Sequence, residues 1–116
     1  MASYFLSLLL GAASAQADVA PTEQMAAAEN RLGACLMSGA TSVRHPDVRS
    51  AVLAVRARCG RDIRRVQRDR VAVATRGLSG IARDRAEHEA LTALNNEIAQ
   101  VIANHAGFGG QDLQRR

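Results

Sequence analysis

Apolar residues recur at intervals of three, four and seven between residues 48 and 73, and this spacing strongly constrains the fold. At roughly 100° per residue, these positions fall within an arc of about 80°, as expected for the buried side of one helix. The pattern predicts a single amphipathic helix over residues 46–76 that begins at about Pro46 or Asp47. The residues of the arc are Val48, Val52, Val55, Cys59, Ile63, Val66 and Val73.

Two further segments show helical periodicity. The first is predicted over residues 22–40, with the stripe Met25, Ala28, Leu32, Cys35, Leu36 and Gly39. The second is predicted over residues 82–106, with the stripe Leu91, Leu94, Ile98, Val101, Ile102 and His105. Asp84 and Glu87 have the spacing of a capping box at its start, and Gly107 is a natural residue to end it. No β-strand pattern appears, so we predict an all-α fold, a small three-helix antiparallel bundle.

Residues 1–17 have the pattern of an export signal. The apolar run YFLSLLL at residues 4–10 has the length of a signal-peptide core, and Ala15 and Ala17 are small residues at the expected cleavage positions. The first residues lack the usual arginine, but the apolar run is too short to span a bilayer. We therefore predict a signal peptide at 1–17, a helical domain at 18–107 and a flexible tail at 108–116. The protein is then periplasmic or secreted.

Two cysteines, Cys35 and Cys59, lie in the predicted helical domain. In an exported chain of this size, an even pair predicts a structural disulfide, worth on the order of 3 kcal/mol. Such a bridge stabilises a core in which Phe108 is the one aromatic residue left after signal cleavage. The register of the two cysteines requires the first helix to end near Gly39, followed by an extended connection through residue 45. Otherwise the second helix must bend.

Arginine supplies all 15 basic residues, against 11 acidic ones, and the net charge is +4. The absence of lysine and the abundance of alanine are typical of GC-rich codon usage, which weakens the arginine count as a functional signal. Five arginines lie opposite the apolar arc of the second helix and are the candidates for anion contact. They are Arg58, Arg61, Arg64, Arg65 and Arg68.

Two interpretations of these arginines stay open. One is a solvated helix face, which is the commoner role of charged residues and the favoured interpretation. The other is a face that contacts an acidic envelope protein, an anionic membrane or lipopolysaccharide through screened charges. Assembly into a homo-oligomer also stays open.

The sequence contains no arrangement that predicts catalysis. His45, His88 and His105 are scattered without the spacing of metal ligands, and no nucleophile or phosphate-binding motif is present. We predict no catalytic residue, metal or cofactor, and a protein that is not an enzyme. Its expected role is that of a structural or interaction module in the cell envelope.

Nucleic-acid binding is the alternative. Arginines suit phosphate contacts, but export separates the protein from nucleic acid, and the helices have no aromatic residues on which bases could stack. If residues 1–17 are not a signal peptide, a cytosolic helical protein that binds nucleic acid becomes the second hypothesis.

Overall fold

The computed structural model describes the backbone of residues 12–109 and the side chains of residues 22–109. Within this range the fold consists of α1 (Ala12–Ser42), α2 (Val48–Arg58), α3 (Gly60–Ala74) and α4 (Gly80–His105). None of the residues in this range forms a β-strand, which confirms the all-α prediction. The apolar core of the predicted signal peptide, at residues 4–10, and the tail from residue 110 lie outside the described residues.

The helix predicted over residues 46–76 is in fact two helices, so the described bundle has four helices rather than three. Cys59 separates them, with φ −100° and ψ 18°, outside the helical values. Gly60 follows, and glycine is the poorest helix former after proline. The backbone N–H of Cys59 still donates to Val55, and its carbonyl accepts from Ile63. Hydrogen bonding therefore continues on both sides of the interruption.

Cys35 of α1 and Cys59 form the predicted disulfide, with their Cα atoms 6.0 Å apart. The first helix does not end near Gly39, because α1 continues to Ser42. That part of the prediction was wrong. The stated alternative was a bend in the second helix, and that helix is interrupted at Cys59 itself, between α2 and α3.

Helix starts were predicted less well than helix ends. α1 begins at Ala12 rather than near residue 22, because the alanine-rich segment upstream favours helix. α4 begins at Gly80 after the N-cap residue Ser79, so Asp84 lies inside the helix and is not its cap. Gly107, at φ 93°, ends α4 as predicted, and the N–H of Phe108 donates to the carbonyl of Ala103 at 2.7 Å.

The core lies where the apolar stripes meet. α1, α3 and α4 pack against one another, and α2 packs against α1 and α4. Val73 departs from the prediction, since it is 50% exposed near the end of α3, where the core no longer extends. The buried cluster consists of Ala28, Leu32, Leu36, Ala40, Ala51, Val55, Cys59, Ile63, Val66, Leu94, Ile98 and Ile102.

The chain runs up along α1, back along α2 and α3, and up again along α4. The C-terminal ends of α1 and α4 meet at one end of the bundle, where residues 40–46 and residues 105, 106 and 108 line the same cavity. The turn between α3 and α4 lies at the other end. Of the helices in the described range, none is both long and apolar enough to cross a membrane.

Candidate anion-contact surface

Three of the five candidate arginines form an exposed row on α3. Arg61, Arg64 and Arg68 are exposed, and their spacing of three and four residues puts them on one side of the helix over two turns. Within the described part of the chain, none of the three has a hydrogen-bonding or ion-pair partner on its guanidinium group. We call these three residues the arginine face. Ile63 and Val66, on the opposite side of α3, are buried in the core.

The other two candidates are engaged elsewhere. Arg65 pairs with Asp69 one turn later, with Nε 3.2 Å from Oδ2, so its charge is largely offset within the helix. Arg58 ends α2 and reaches back to α1, where it donates to the hydroxyls of Ser42 at 3.2 Å and Ser38 at 3.4 Å. The structure therefore does not bring the five predicted arginines together as one surface.

A sixth arginine, Arg70, joins three helices through two carboxylates, and the sequence analysis did not identify it as a site. Its Nε and Nη2 donate to Glu29 of α1 at 2.8 and 2.7 Å. Its Nη1 and Nη2 donate to Glu97 of α4 at 2.7 and 3.0 Å. The side chain of Arg70 is 27% exposed, so the cluster lies at the edge of the core.

The charges of this cluster stabilise one another. Hydrogen bonds to Glu29 first and to Glu97 second raise the pKa of Arg70 above its ordinary value. In return, the hydrogen bonds from Arg70 lower the pKa of Glu97. In the sequence, Glu29 directly follows the core residue Ala28 and Glu97 directly precedes the core residue Ile98, so both carboxylates start beside the core. A charge beside an apolar stripe does not identify its partner, so local spacing could not pair either glutamate with Arg70.

An open cavity of about 850 Å³ lies between the α1–α2 connection and the end of α4. His45 Nε2 is 3.3 Å from the carbonyl oxygen of Gly39, and His105 Nδ1 is 3.0 Å from that of Val101. Because a carbonyl can only accept, both of these ring nitrogens carry the proton. The other residues that line the cavity are Ala40, Thr41, Ser42, Val43, Arg44, Pro46, Ala106 and Phe108.

No group of three or more histidine, cysteine, aspartate or glutamate side chains that could hold a metal ion occurs among the described residues. Cys35 and Cys59 are both bonded, so neither is a free thiol there. His88 is exposed on α4, away from the cavity that His45 and His105 line.

Comparison of the chain with protein-family models, curated proteins and solved structures returns no match.

Proposed function

We propose that this protein is an exported helical module of the cell envelope, stapled by a disulfide, whose arginine face makes weak, salt-sensitive contacts with anionic surfaces. The observation that supports this proposal is the exposure of Arg61, Arg64 and Arg68 in a row without carboxylate partners among the described residues. Membrane head groups, lipopolysaccharide and acidic proteins all offer the complementary charge. Neither a catalytic step nor a cofactor is part of the proposal.

The contact is electrostatic because α3 has no apolar face left to insert. Interfacial helices place their apolar side in the membrane, whereas Ile63 and Val66 of α3 are buried in the bundle. The row from Arg61 to Arg68 spans about 10 Å, at about 1.5 Å per residue. Exposed charges at this spacing act through a field that is screened over about 8 Å at physiological salt. Binding should therefore weaken steeply as salt rises.

The test is sedimentation with anionic vesicles of phosphatidylglycerol, at low and at physiological salt. Replacing Arg61, Arg64 and Arg68 together by glutamine should abolish the association, while the free energy of unfolding changes by less than about 0.5 kcal/mol per site. The matched control is the triple glutamine variant of Arg31, Arg76 and Arg85. These arginines are also exposed, and the control loses the same net charge.

The control variant should keep most of the vesicle binding. Equal losses in the two triple variants would mean that net charge alone matters, and no binding at low salt would mean that the arginine face is only solvated. Either result contradicts the proposal. Retention on double-stranded DNA, but not on vesicles, would instead favour the cytosolic alternative.

Export is the second part of the proposal, and the Cys35–Cys59 disulfide supports it, because such bonds persist mainly in oxidising compartments. Mass spectrometry of the protein recovered from its native compartment should find a chain that begins at Asp18. Alkylation of that protein under non-reducing, denaturing conditions should label neither cysteine. Two labelled thiols and an intact N-terminus would contradict export.

A further inference from the structure

Among the described residues that line the cavity between the α1–α2 connection and the end of α4, Arg44 carries a full charge and two histidines add polar ring nitrogens. Arg44, His45 and His105 line it, and the lining includes no carboxylate among the described residues. Thr41 and Ser42 add hydroxyl groups. The remaining lining is apolar and consists of Ala40, Val43, Pro46, Ala106 and Phe108. A cavity that pairs an arginine and polar side chains with an apolar wall fits an anionic ligand with an apolar body.

The C-terminal ends of α1 and α4 would by themselves disfavour an anion, because helix C-termini carry partial negative charge. Side chains of the cavity offset this effect at several carbonyls. The hydroxyl of Thr41 donates to Met37 at 2.9 Å, and that of Ser42 to Gly39 at 3.5 Å. His45 also donates to Gly39, and His105 donates to Val101. Side chains of the cavity thus donate hydrogen bonds to carbonyl groups in the last turns of α1 and α4. The positive charge of Arg44 remains available to a ligand.

Arg58 adds a second guanidinium at the margin of the cavity. Its Nη1 donates to the hydroxyl of Ser42, a lining residue, and its Nη2 to that of Ser38. Both partners are neutral, so the positive charge of Arg58 is not offset by them. Arg58 is the last residue of α2. Its two hydrogen bonds place its guanidinium group beside the C-terminal turns of α1.

We propose that this cavity binds a small organic anion. A carboxylate, phosphate or sulfonate group would lie near Arg44 and Arg58, and an apolar body would pack against Pro46 and Phe108. The volume of about 850 Å³ falls within the usual range for small-molecule sites. This site is separate from the arginine face, since none of Arg61, Arg64 and Arg68 lines it.

The test compares two probes of the same shape, benzenesulfonate and neutral benzenesulfonamide, by amide chemical shifts of the whole exported chain. Benzenesulfonate should shift the amide signals of residues 40–46 and 105–108 in a saturable way, and benzenesulfonamide should bind more weakly. Arg44→Gln should weaken benzenesulfonate binding about tenfold, as expected for the loss of a charge-assisted hydrogen bond. Arg31→Gln, an exposed arginine outside the cavity, should leave it unchanged.

Arg58→Gln is the second variant and should also weaken the binding of benzenesulfonate. The glutamine variant of Arg61, Arg64 and Arg68 should bind it as tightly as the unmodified protein, so this proposal and the vesicle proposal fail independently. Equal affinity for the two probes, or an unchanged affinity in both Arg44→Gln and Arg58→Gln, would overturn the proposal. Shifts confined to α3 would overturn it as well.

Discussion

Two glycines of α1, Gly33 and Gly39, occupy opposite environments. A methyl group added at Gly33 would have nothing within 4 Å. One added at Gly39 would lie 3.0 and 3.3 Å from the two methyl carbons of Val55 on α2. Gly39 therefore permits the close approach of α1 and α2 on the side of the disulfide, whereas nothing in the packing requires glycine at position 33.

This difference predicts opposite effects of the same substitution. Gly33→Ala should raise the free energy of unfolding by about 0.5–1 kcal/mol, because alanine loses less backbone entropy in a helix. Gly39→Ala should lower it by about 1 kcal/mol or more, since overpacking against Val55 outweighs that gain. Urea unfolding of the two variants measures both effects. The interpretation of Gly39 is wrong if Gly39→Ala is the more stable of the two.

At the scale of helices, Arg70 fixes the register of α1, α3 and α4 by contacting a carboxylate on each of the other two helices. A pair within one helix lacks this effect, and Arg65 with Asp69 is such a pair. The two arginines lie on the same helix, so they form a natural comparison. Their partners differ in sequence separation, which is 41 and 27 residues for Arg70 and four for Arg65.

Arg70→Met should lower the free energy of unfolding at neutral pH by about 1 kcal/mol, a value kept small because the cluster is partly exposed. Arg65→Met should lower the free energy of unfolding by less than about 0.5 kcal/mol. The pKa of Glu97 is lowered in the folded protein. Its contribution to the free energy of unfolding is therefore fully present when the pH is above its pKa in the unfolded chain, about 4.3. That contribution is lost as the pH falls through the lower folded value.

Urea unfolding at pH 7 and at pH 3 checks this prediction. The difference between the unmodified protein and Arg70→Met should shrink at pH 3, and the smaller difference for Arg65→Met serves as the control. If the two variants lose the same free energy of unfolding at pH 7, the contacts of Arg70 with other helices add no stability beyond that of a pair within one helix.

Features that depend on neighbouring residues could be predicted from the sequence. The apolar stripes, the start of the second helix near Pro46 or Asp47, observed at Val48, and the end of α4 at Gly107 all follow from local spacing and backbone preference. The interruption at Cys59 was not predicted, because the apolar spacing continues through it from Val55 to Ile63. The link from Arg70 to Glu29 and Glu97 was missed because those partners are distant in sequence.

The positions of the five candidate arginines on the helices were predicted only in part. Helical spacing correctly placed Arg61, Arg64 and Arg68 on the outside of α3. It treated Arg58 as part of the same helix, whereas the interruption at Cys59 leaves Arg58 on α2, in contact with Ser38 and Ser42. Periodicity could not reveal this break, because the apolar spacing passes through Cys59 without a shift.

At the scale of the whole molecule, the disulfide stabilises a core made of aliphatic side chains and alanine. It joins residues separated by 24 positions. Cys35→Ala combined with Cys59→Ala should lower the free energy of unfolding by about 3 kcal/mol, because the unfolded chain is no longer restricted. Urea unfolding with and without reductant provides the control. Reductant should destabilise the unmodified protein but not the double variant. If the two proteins are equally stable without reductant, the predicted contribution of the disulfide is wrong.

The two ends of the bundle differ in packing. Residues 80–89 of α4 include no buried residue, and Ile81 is 77% exposed. Leu94, Ile98 and Ile102, later in the same helix, are almost fully buried. Hydrogen exchange followed by mass spectrometry should therefore find faster exchange at residues 84–89 than at residues 98–103, because few buried contacts oppose local opening. Uniform protection along α4 would contradict this gradient.

Because α1 and α4 run in the same direction, the start of α1 and the end of α4 lie at opposite ends of the bundle, and a tensile force applied to them would stretch the molecule lengthwise. The Cys35–Cys59 bond would transmit that force directly, so the chain between these two cysteines, whose sequence separation is 24, would not be stretched. At about 3.4 Å per residue, the bond withholds roughly 80 Å of contour length from a fully unravelled chain. In a single-molecule pulling experiment, the reduced protein should extend further than the oxidised protein by that amount.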